Sequence, residues 1–324
     1  MRILQLGGHN RAKGVSVTIS SAISIASFSI DRDQRMDLLG RLDRALIGSS
    51  DLVPLSDARY LEAHGIYEGR SDQQRLIIDW FGDRVAPTLP PDGSFRVLSI
   101  GCGSGILDVS IATRLLEQTN DLHYVGVDPN QIECEAFLQQ FTDPSLDSSQ
   151  HKARVEVVPA TFEDFEAGCS FDLIHFVHSL YYMPDPAAAL EKARKLLAPG
   201  GRLVVFHAPC EALNDLTVRF WDKQFARPTL FAEDFAETLD AWSWDYDRKR
   251  VDARLEVTGL DHADPAHAGS SIGLALRDFI VQFDSRRLPF PVQDLVGRYL
   301  RLISVEDRGE THIPHPVDVF VIDG

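Results

Sequence analysis

The stretch RVLSIGCGSGILDVS, Arg96 to Ser110, constrains the fold of this chain more than any other. A short apolar run ends in glycines at alternate positions, Gly101, Gly103 and Gly105, and a helical pattern follows at once. Glycine accepts positive φ and lets another group lie against the backbone, so such a turn can present bare main chain to a ligand. The strand–helix pattern then repeats. LHYVGVD reads as a second strand and NQIECEAFLQQF as a second helix. ARVEVVPA and FDLIHFV are further strands, DPAAALEKARKLLAPGG is a helix closed by Pro199-Gly200-Gly201, and RLVVFHA is a fifth strand. Strands rich in Val, Ile and Leu that alternate with single helices predict a parallel sheet covered on both faces. Right-handed crossovers make it doubly wound. KRVDARLEVTG supplies a sixth strand and VDVFVID closes the sheet. The expectation is an α/β fold with a mostly parallel, seven-stranded sheet and helical cover elements.

Around that core the chain divides into four parts. Residues 1–35, with the serine-rich run VSVTISSAISIASFSI, read as a poorly structured or loosely attached leader, because Met36 opens the first amphipathic pattern. Residues 36–94 read as a helical N-terminal cover, 95–211 as the ligand-binding core, and 212–324 as a second cover plus the last strands. The leader lacks the purely apolar centre of a signal peptide, and no run approaches the length of a membrane span. Cys102, Cys134, Cys169 and Cys210 are far apart and form no C-x-x-C pair. That is poor for zinc and fits a reducing, cytoplasmic setting. A net charge of −16 argues against a polyanionic partner, since nucleic-acid binding rests on Lys and Arg at phosphates. The partner expected is a small molecule, with no nucleic acid and no membrane, and the chain itself a monomer or weak dimer.

In doubly wound sheets the ligand lies beyond the carboxyl ends of the strands. The loop there is G-x-G-x-G. A dinucleotide fingerprint would place its third glycine at position 106, which is Ile106. The second strand ends in Asp128, 23 residues beyond Gly105, where a carboxylate can accept hydrogen bonds from both ribose hydroxyls. An acid for ribose beside a glycine loop without Lys or Arg suits a nucleoside without phosphates. S-adenosylmethionine is such a ligand: its sulfonium would be repelled by a basic loop, and its carboxylate can meet backbone N–H groups at the helix start. Taken singly, the glycines would serve as turn formers and Asp128, before Pro129, as a helix cap.

LSIGCGSG, GVDPN and LAPGGRLVV resemble the cofactor motifs of class I S-adenosylmethionine-dependent methyltransferases, which have Rossmann-like sheets. RYLEAHGIYEGRSDQQRLIIDWF, FDLIHFVHSLYYMPD and PVDVFVIDG are similar to segments of the histamine N-methyltransferase family in order and spacing. The resemblance implies that Gly101, Gly103 and Gly105 line the methionine end of the cofactor. Asp128 and Pro129 would lie at the ribose, Glu133 at the adenosine, Thr161 and Phe162 by the adenine, and Val177 and His178 toward the sulfonium. It further implies N-methylation of a small amine, with Gln73, His178 and His315 at positions where the family carries Glu, Gln and Asn. The loss of the acid at Gln73 argues against histamine and leaves a neutral or acidic acceptor as open as an amine. Tyr60, Tyr181 and Tyr182 would wall the pocket. O- or C-methylation of a hydroxy or oxo acid is the alternative chemistry, and a non-catalytic cofactor-binding relative the alternative class. Methyl transfer is an in-line displacement that needs mainly positioning. A neutral amine needs no base, but a hydroxyl does, and His178 is then the candidate. His175 and His178, three apart on a strand, face opposite sides, so no metal site is expected.

Overall fold

The computed structural model describes residues 32–49, 52–88, 94–142, 152–224, 229–258, 260 and 271–324. The main sheet has the order β3-β2-β1-β4-β5-β10-β6. Its strands are β1 (Ser94–Ile100), β2 (Asp121–Asp128), β3 (Lys152–Pro159), β4 (Phe171–Val177), β5 (Leu197–His207), β6 (Asp247–Val251) and β10 (Val317–Asp323). β1 to β5 pair in parallel, while β10 runs antiparallel between β5 and β6. This is the predicted seven-stranded, mostly parallel sheet. A second sheet of three short strands, β7 (Arg254–Glu256), β8 (Val305–Asp307) and β9 (Glu310–Pro314), has the order β7-β9-β8.

The helices are α1 (Arg32–Ile47), α2 (Asp57–Arg70), α3 (Gln73–Arg84), α4 (Ile106–Leu116), α5 (Gln131–Gln140), α6 (Pro186–Lys195), α7 (Asn214–Gln224), α8 (Ala232–Ala241), α9 (Ser271–Val281) and α10 (Phe290–Ile303). One face of the sheet packs its Val97, Tyr124, Leu173, Val204 and Val319 against Phe81 of α3, Ile111 and Leu115 of α4, and Phe137 of α5. The other packs Leu98, Val125, Ile174 and Phe320 against Leu190 of α6 and Phe235 of α8. Alternate residues of each strand serve the two faces, as a strand's period of two requires. A separate apolar cluster joins α1, α7, α9 and α10 through Leu39, Leu42, Phe220, Leu276, Val296 and Tyr299. None of the helices described is long and apolar enough to cross a membrane.

Two expectations need correction. The segment KRVDARLEVTG is not one strand. It divides after Val251 into β6, on the main sheet, and β7, on the small one. The leader also ends earlier than 35. Residues 1–31 lie outside the described residues, but Arg32 to Arg35 form the first turn of α1, and Arg35 pairs with Asp215 of α7 at 2.8 Å. The polar run RDQR hides this turn from a hydrophobicity pattern, because only the leucines further on are buried.

Candidate functional site

Strand register brings the functional loops together. Ile100 lies opposite both Val127 and Phe176, and Val177 lies opposite Phe206. The segments after β1, β2, β4 and β5 therefore emerge side by side. The glycine loop takes its shape from two bonds to one carbonyl: Gly101 N–H and Cys102 N–H both donate to Val127 O, at 2.8 and 3.3 Å. Gly101, Gly103 and Gly105 all have positive φ, at 69°, 52° and 77°. A Cβ on Gly101 would stand 2.4 Å from Cβ of Ser179, and one on Gly105 would stand 2.6 Å from the Phe137 ring. On Gly103 it would meet nothing within 4 Å. The outer two glycines are thus required by protein packing, and the middle one opens onto free space.

Asp128 ends β2 and braces this loop. Its Oδ2 accepts from Gly103 N–H at 3.0 Å and its Oδ1 from Asn130 N–H at 2.9 Å. It is not the cap of α5; Asn130 is, through its side chain to Ile132 N–H. Each Asp128 oxygen keeps a lone pair and the residue is partly exposed, so it can still receive ribose hydroxyls. α4 is preceded by Gly105 as its N-cap, with no side-chain cap on its first N–H groups, leaving them for an anionic group. The cradle therefore fits S-adenosylmethionine: bare loop, uncapped helix start, free carboxylate lone pairs and no cation. Pro129 is exposed and Glu133 partly so, on the same rim. Thr161 is exposed, its hydroxyl held 2.9 Å from Asp164. Phe162 is different. Its ring is 2% exposed, packs on Phe165 and Phe176, and lies under the Lys192 ammonium. It is a core residue whose side chain offers a ligand no face.

The residues expected at the methyl acceptor converge on the far side of the β4 end. His178 follows the partly buried Val177 and has φ 52°, a strained backbone for a residue with a Cβ. Gln73 opens α3, His315 sits in the turn from β9 to β10, and Tyr181 follows β4. The junction of α2 and α3 is fixed by tertiary bonds: Asp72 exchanges hydrogen bonds with Arg254 of β7, and Ser71 bridges to Leu255. β7 pairs with β9, and His315 N–H donates to Ala253 O at 2.9 Å. That placement brings His315 Nδ1 to 2.9 Å from Ser71 Oγ and Nε2 to 2.5 Å from Tyr67 Oη.

Gln73 is 6% exposed, and both ends of its amide are engaged. Its Nε2 donates to His315 O at 2.8 Å, and its Oε1 lies 2.7 Å from His178 Nε2. His178 Nδ1 lies 3.1 Å from Tyr181 Oη, which accepts from Ala208 N–H at 2.7 Å. Burial pushes His178 down to about 4 and His315 to about 3, so both are neutral near pH 7. Burial also raises the Tyr181 and Tyr67 hydroxyls well above the usual tyrosine range. Tyr60, His64 and Phe279 form an aromatic wall beside Tyr67, with Tyr67 and Phe279 ring centroids 4.3 Å apart. Tyr182 stands 62% exposed at the rim. His207 supports Tyr181 by ring stacking at 4.2 Å. Gln73, His178, Tyr181, His315, Tyr67 and Ser71 form a neutral hydrogen-bonded network, and Glu68 of α2 stands beside it, 3.5 Å from His64 Nε2 and accepting from Gln74 Nε2 at 3.0 Å.

His175 faces the opposite way. It is buried beneath α4, with Tyr124 Oη 2.9 Å from its Nε2 and 2.9 Å from Asp108 Oδ1. Burial lowers His175 to about 3 and raises Asp108 to about 6, so the pair is bridged by a hydroxyl rather than by opposite charges. Among the described residues no group of three or more His, Cys, Asp or Glu side chains is arranged to hold a metal.

Sequence reasoning missed Tyr67, Ser71, His64, Phe279 and the Ala208 amide. Tyr60, His64 and Tyr67 stand at i, i+4 and i+7 of α2 and were readable as one helical face. Ser71 and Phe279 carry no local signal.

Comparison with known proteins decides the family. Residues 70–252 match the family described as "Methyltransferase domain". The chain belongs to that family. Its domain is a class I S-adenosylmethionine-dependent methyltransferase domain, and S-adenosylmethionine is the cofactor of that domain. The 27-O-demethylrifamycin SV methyltransferase of Amycolatopsis mediterranei is 27% identical over 142 residues, 44% of this chain and 49% of the relative. The tRNA U34 carboxymethyltransferase of Alteromonas mediterranea is 32% identical over 147 residues, 44% of this chain and 40% of the relative. The chain thus spans half or less of the length of these two relatives. A solved S-adenosylmethionine-dependent methyltransferase of Thermotoga maritima, described as a possible histamine N-methyltransferase, aligns with a TM-score of 0.40 and 17% identity, over 77% of this chain and 90% of its own.

Proposed function

We propose that this protein transfers the methyl group of S-adenosylmethionine to a hydroxyl oxygen of an uncharged, planar small molecule, held between the glycine loop and the wall formed by Tyr67 and Tyr181. One observation carries the reading: the hydrogen-bond chain from Ala208 to His315 has a fixed direction. Ala208 N–H can only donate, and His315 O can only accept. The Gln73 amide must then turn Oε1 to His178, so His178 carries its proton on Nε2 and offers the Nδ1 lone pair to the Tyr181 hydroxyl. Tyr181 Oη is left with a lone pair for an acceptor hydroxyl.

When bound, S-adenosylmethionine supplies an electrophilic methyl group on a cationic sulfur. The chain's residues position the acceptor oxygen and take its proton. The acceptor proton passes to Tyr181 Oη, and the Tyr181 proton passes to His178 Nδ1. The resulting imidazolium is held at Nε2 by Gln73 Oε1. A base as weak as His178 suffices, because an oxygen that is gaining a methyl group becomes strongly acidic.

The hydrogen-bonded network itself is neutral and Glu68 beside it is engaged by Gln74 and His64, which favours a neutral hydroxyl over an amine or an oxo acid. The hydroxyl chemistry agrees with the name of the rifamycin relative. A tRNA acceptor, as in the second relative's name, draws little support from a chain of net charge −16. The test is a methyl-transfer assay over phenols, amines and oxo acids, with products identified by mass spectrometry. Tyr181→Phe should lower kcat on hydroxyl acceptors by about a hundredfold and leave S-adenosylhomocysteine affinity unchanged. Turnover of amines alone, unaffected by Tyr181→Phe, would overturn the reading.

A further inference from the structure

The strands that carry the cofactor cradle stand in the order β3-β2-β1. The glycine loop follows β1, and Asp128 ends β2. S-adenosylmethionine is a linear molecule, running from amino acid through ribose to base. With its carboxylate at the start of α4 and its ribose at Asp128, its base falls one strand further on, strands being about 4.8 Å apart. That strand is β3, and the register agrees: Asp128 lies opposite Pro159, the last residue of β3. The loop that leaves β3 is therefore the next wall of the cradle.

One ammonium holds this loop. Lys192 of α6 is partly buried, and its Nζ donates to the carbonyls of Phe162 at 2.6 Å, Glu163 at 2.9 Å and Phe165 at 2.6 Å. An ammonium has three hydrogens, so the whole donor set is spent on the main chain of one short loop. The same Nζ stands 5.0 Å from the centroid of the Phe162 ring. Lys195, on the same helix, shows the ordinary alternative: it is exposed and pairs loosely with Glu191 at 3.9 Å. Hydrogen bonds from a cation are about twice as strong as neutral ones, and three carbonyls turned onto Lys192 cannot swing toward a ligand. The Phe162 and Phe165 rings, 2% and 5% exposed, anchor the loop from beneath. Thr161 and Asp164 close it outside: Thr161 Oγ1 donates to Asp164 Oδ2 at 2.9 Å and accepts from Asp164 N–H at 3.2 Å. Thr161, Glu163 and Asp164 are exposed on its outer side.

We infer that Lys192 is a positioning residue for the nucleobase of S-adenosylmethionine, holding the loop after β3 in the shape against which the base lies. Its own side chain is committed to the loop and acts on the cofactor only through it. The methyl acceptor has no part in this, so the role holds whichever atom is methylated.

The probes are S-adenosylhomocysteine, S-ribosylhomocysteine, which lacks the base, and adenosine, which lacks the amino acid. Affinities are read by calorimetry on full-length protein, the two fragments by displacement of S-adenosylhomocysteine. Lys192→Met keeps the stem and removes the ammonium. It should weaken S-adenosylhomocysteine and adenosine by the same factor, about tenfold or more, and leave S-ribosylhomocysteine within about twofold. Lys192→Arg, which restores a cation with several donors, should recover most of the lost affinity. Should Lys192→Met fail to fold in a denaturant melt, Lys192→Gln carries the same comparison. Unchanged S-adenosylhomocysteine affinity without the ammonium overturns the inference. So does a loss shared equally by S-ribosylhomocysteine, because a clamp that only stabilises the fold would weaken every ligand alike.

Discussion

The cofactor cradle and the acceptor wall sit at the same end of the sheet but are built in opposite ways. The cradle is local. Its shape comes from Gly101 to Gly105 and from Asp128, joined to Gly103 by one hydrogen bond across adjacent strands. The acceptor wall is remote in sequence: His178 meets Gln73 across 105 positions, and Tyr67 meets His315 across 248. A local cradle can be written as a motif, because backbone conformation and the next strand's end suffice to define it. The wall depends on how two cover helices dock against β7 and the turn before β10. It is therefore the part that can change substrate without disturbing the cofactor.

The sharpest way to break this comparison is inside the glycine loop. Gly105→Ala drives a Cβ into Phe137 at a positive φ, so it should destabilise the fold by about 3–5 kcal/mol, through overpacking and backbone strain together. Gly103→Ala adds a Cβ only to open space and should lose about 1–2 kcal/mol of stability. Yet Gly103→Ala should weaken S-adenosylhomocysteine binding by tenfold or more, because the new methyl stands where the ligand lies. Denaturant melts and calorimetry on both variants separate the two roles. Unchanged ligand affinity in Gly103→Ala would show that the loop is only a turn.

Asp128→Ala sharpens the same contrast at smaller scale. It removes one brace of the loop and the expected ribose partner, so cofactor affinity should fall by about 1.5–3 kcal/mol, read by calorimetry. Acceptor affinity in the presence of saturating S-adenosylhomocysteine should hardly move. A parallel loss of acceptor binding would mean that the two regions are coupled.

The wall can be probed by pH. His178 and His315 have folded values of about 4 and 3 against an ordinary 6.5, lowered by burial. Between those limits the unfolded chain binds more protons than the folded one. Stability therefore rises with pH through this window and is lost as pH falls from about 6.5 toward 4. The slope is on the order of 1.4 kcal/mol per pH unit for each such histidine. His175 and His207, both lowered to about 3 by burial, act in the same direction. Asp108, raised to about 6, acts oppositely and offsets one of them. Removing His178 and His315 by a double substitution to Gln should flatten the slope by about two thirds. A slope unchanged in that double variant would place the pH dependence outside the wall.

The same local–remote distinction governs what the amino-acid sequence revealed. The seven-stranded sheet was legible because each strand and helix carries its own period, and the candidate cradle because three glycines and an acid fall at loop positions in one βαβ unit. Phe162 misled because its neighbour Thr161 follows β3 at a rim position, and nothing local says that the next ring turns into the core. The three-residue strand β7 is too short to show an alternation of its own, so it was merged with β6. Gln73, His178 and His315, which the resemblance groups, are joined by hydrogen bonds in the structure. That Gln73 spends its whole amide inside the protein follows only from tertiary contacts.

The central claim is that the network at the candidate acceptor wall is neutral and that its hydrogen bonds run one way, from Ala208 through Tyr181, His178 and Gln73 to His315. Nitrogen-15 NMR of histidine-labelled protein reads this directly. The account predicts that at pH 7 His178 is neutral, with a protonated, pyrrole-type Nε2 and an unprotonated, pyridine-type Nδ1, and that it stays so down to about pH 5. An imidazolium signal from His178 at pH 7, or a neutral ring protonated on Nδ1, would contradict it.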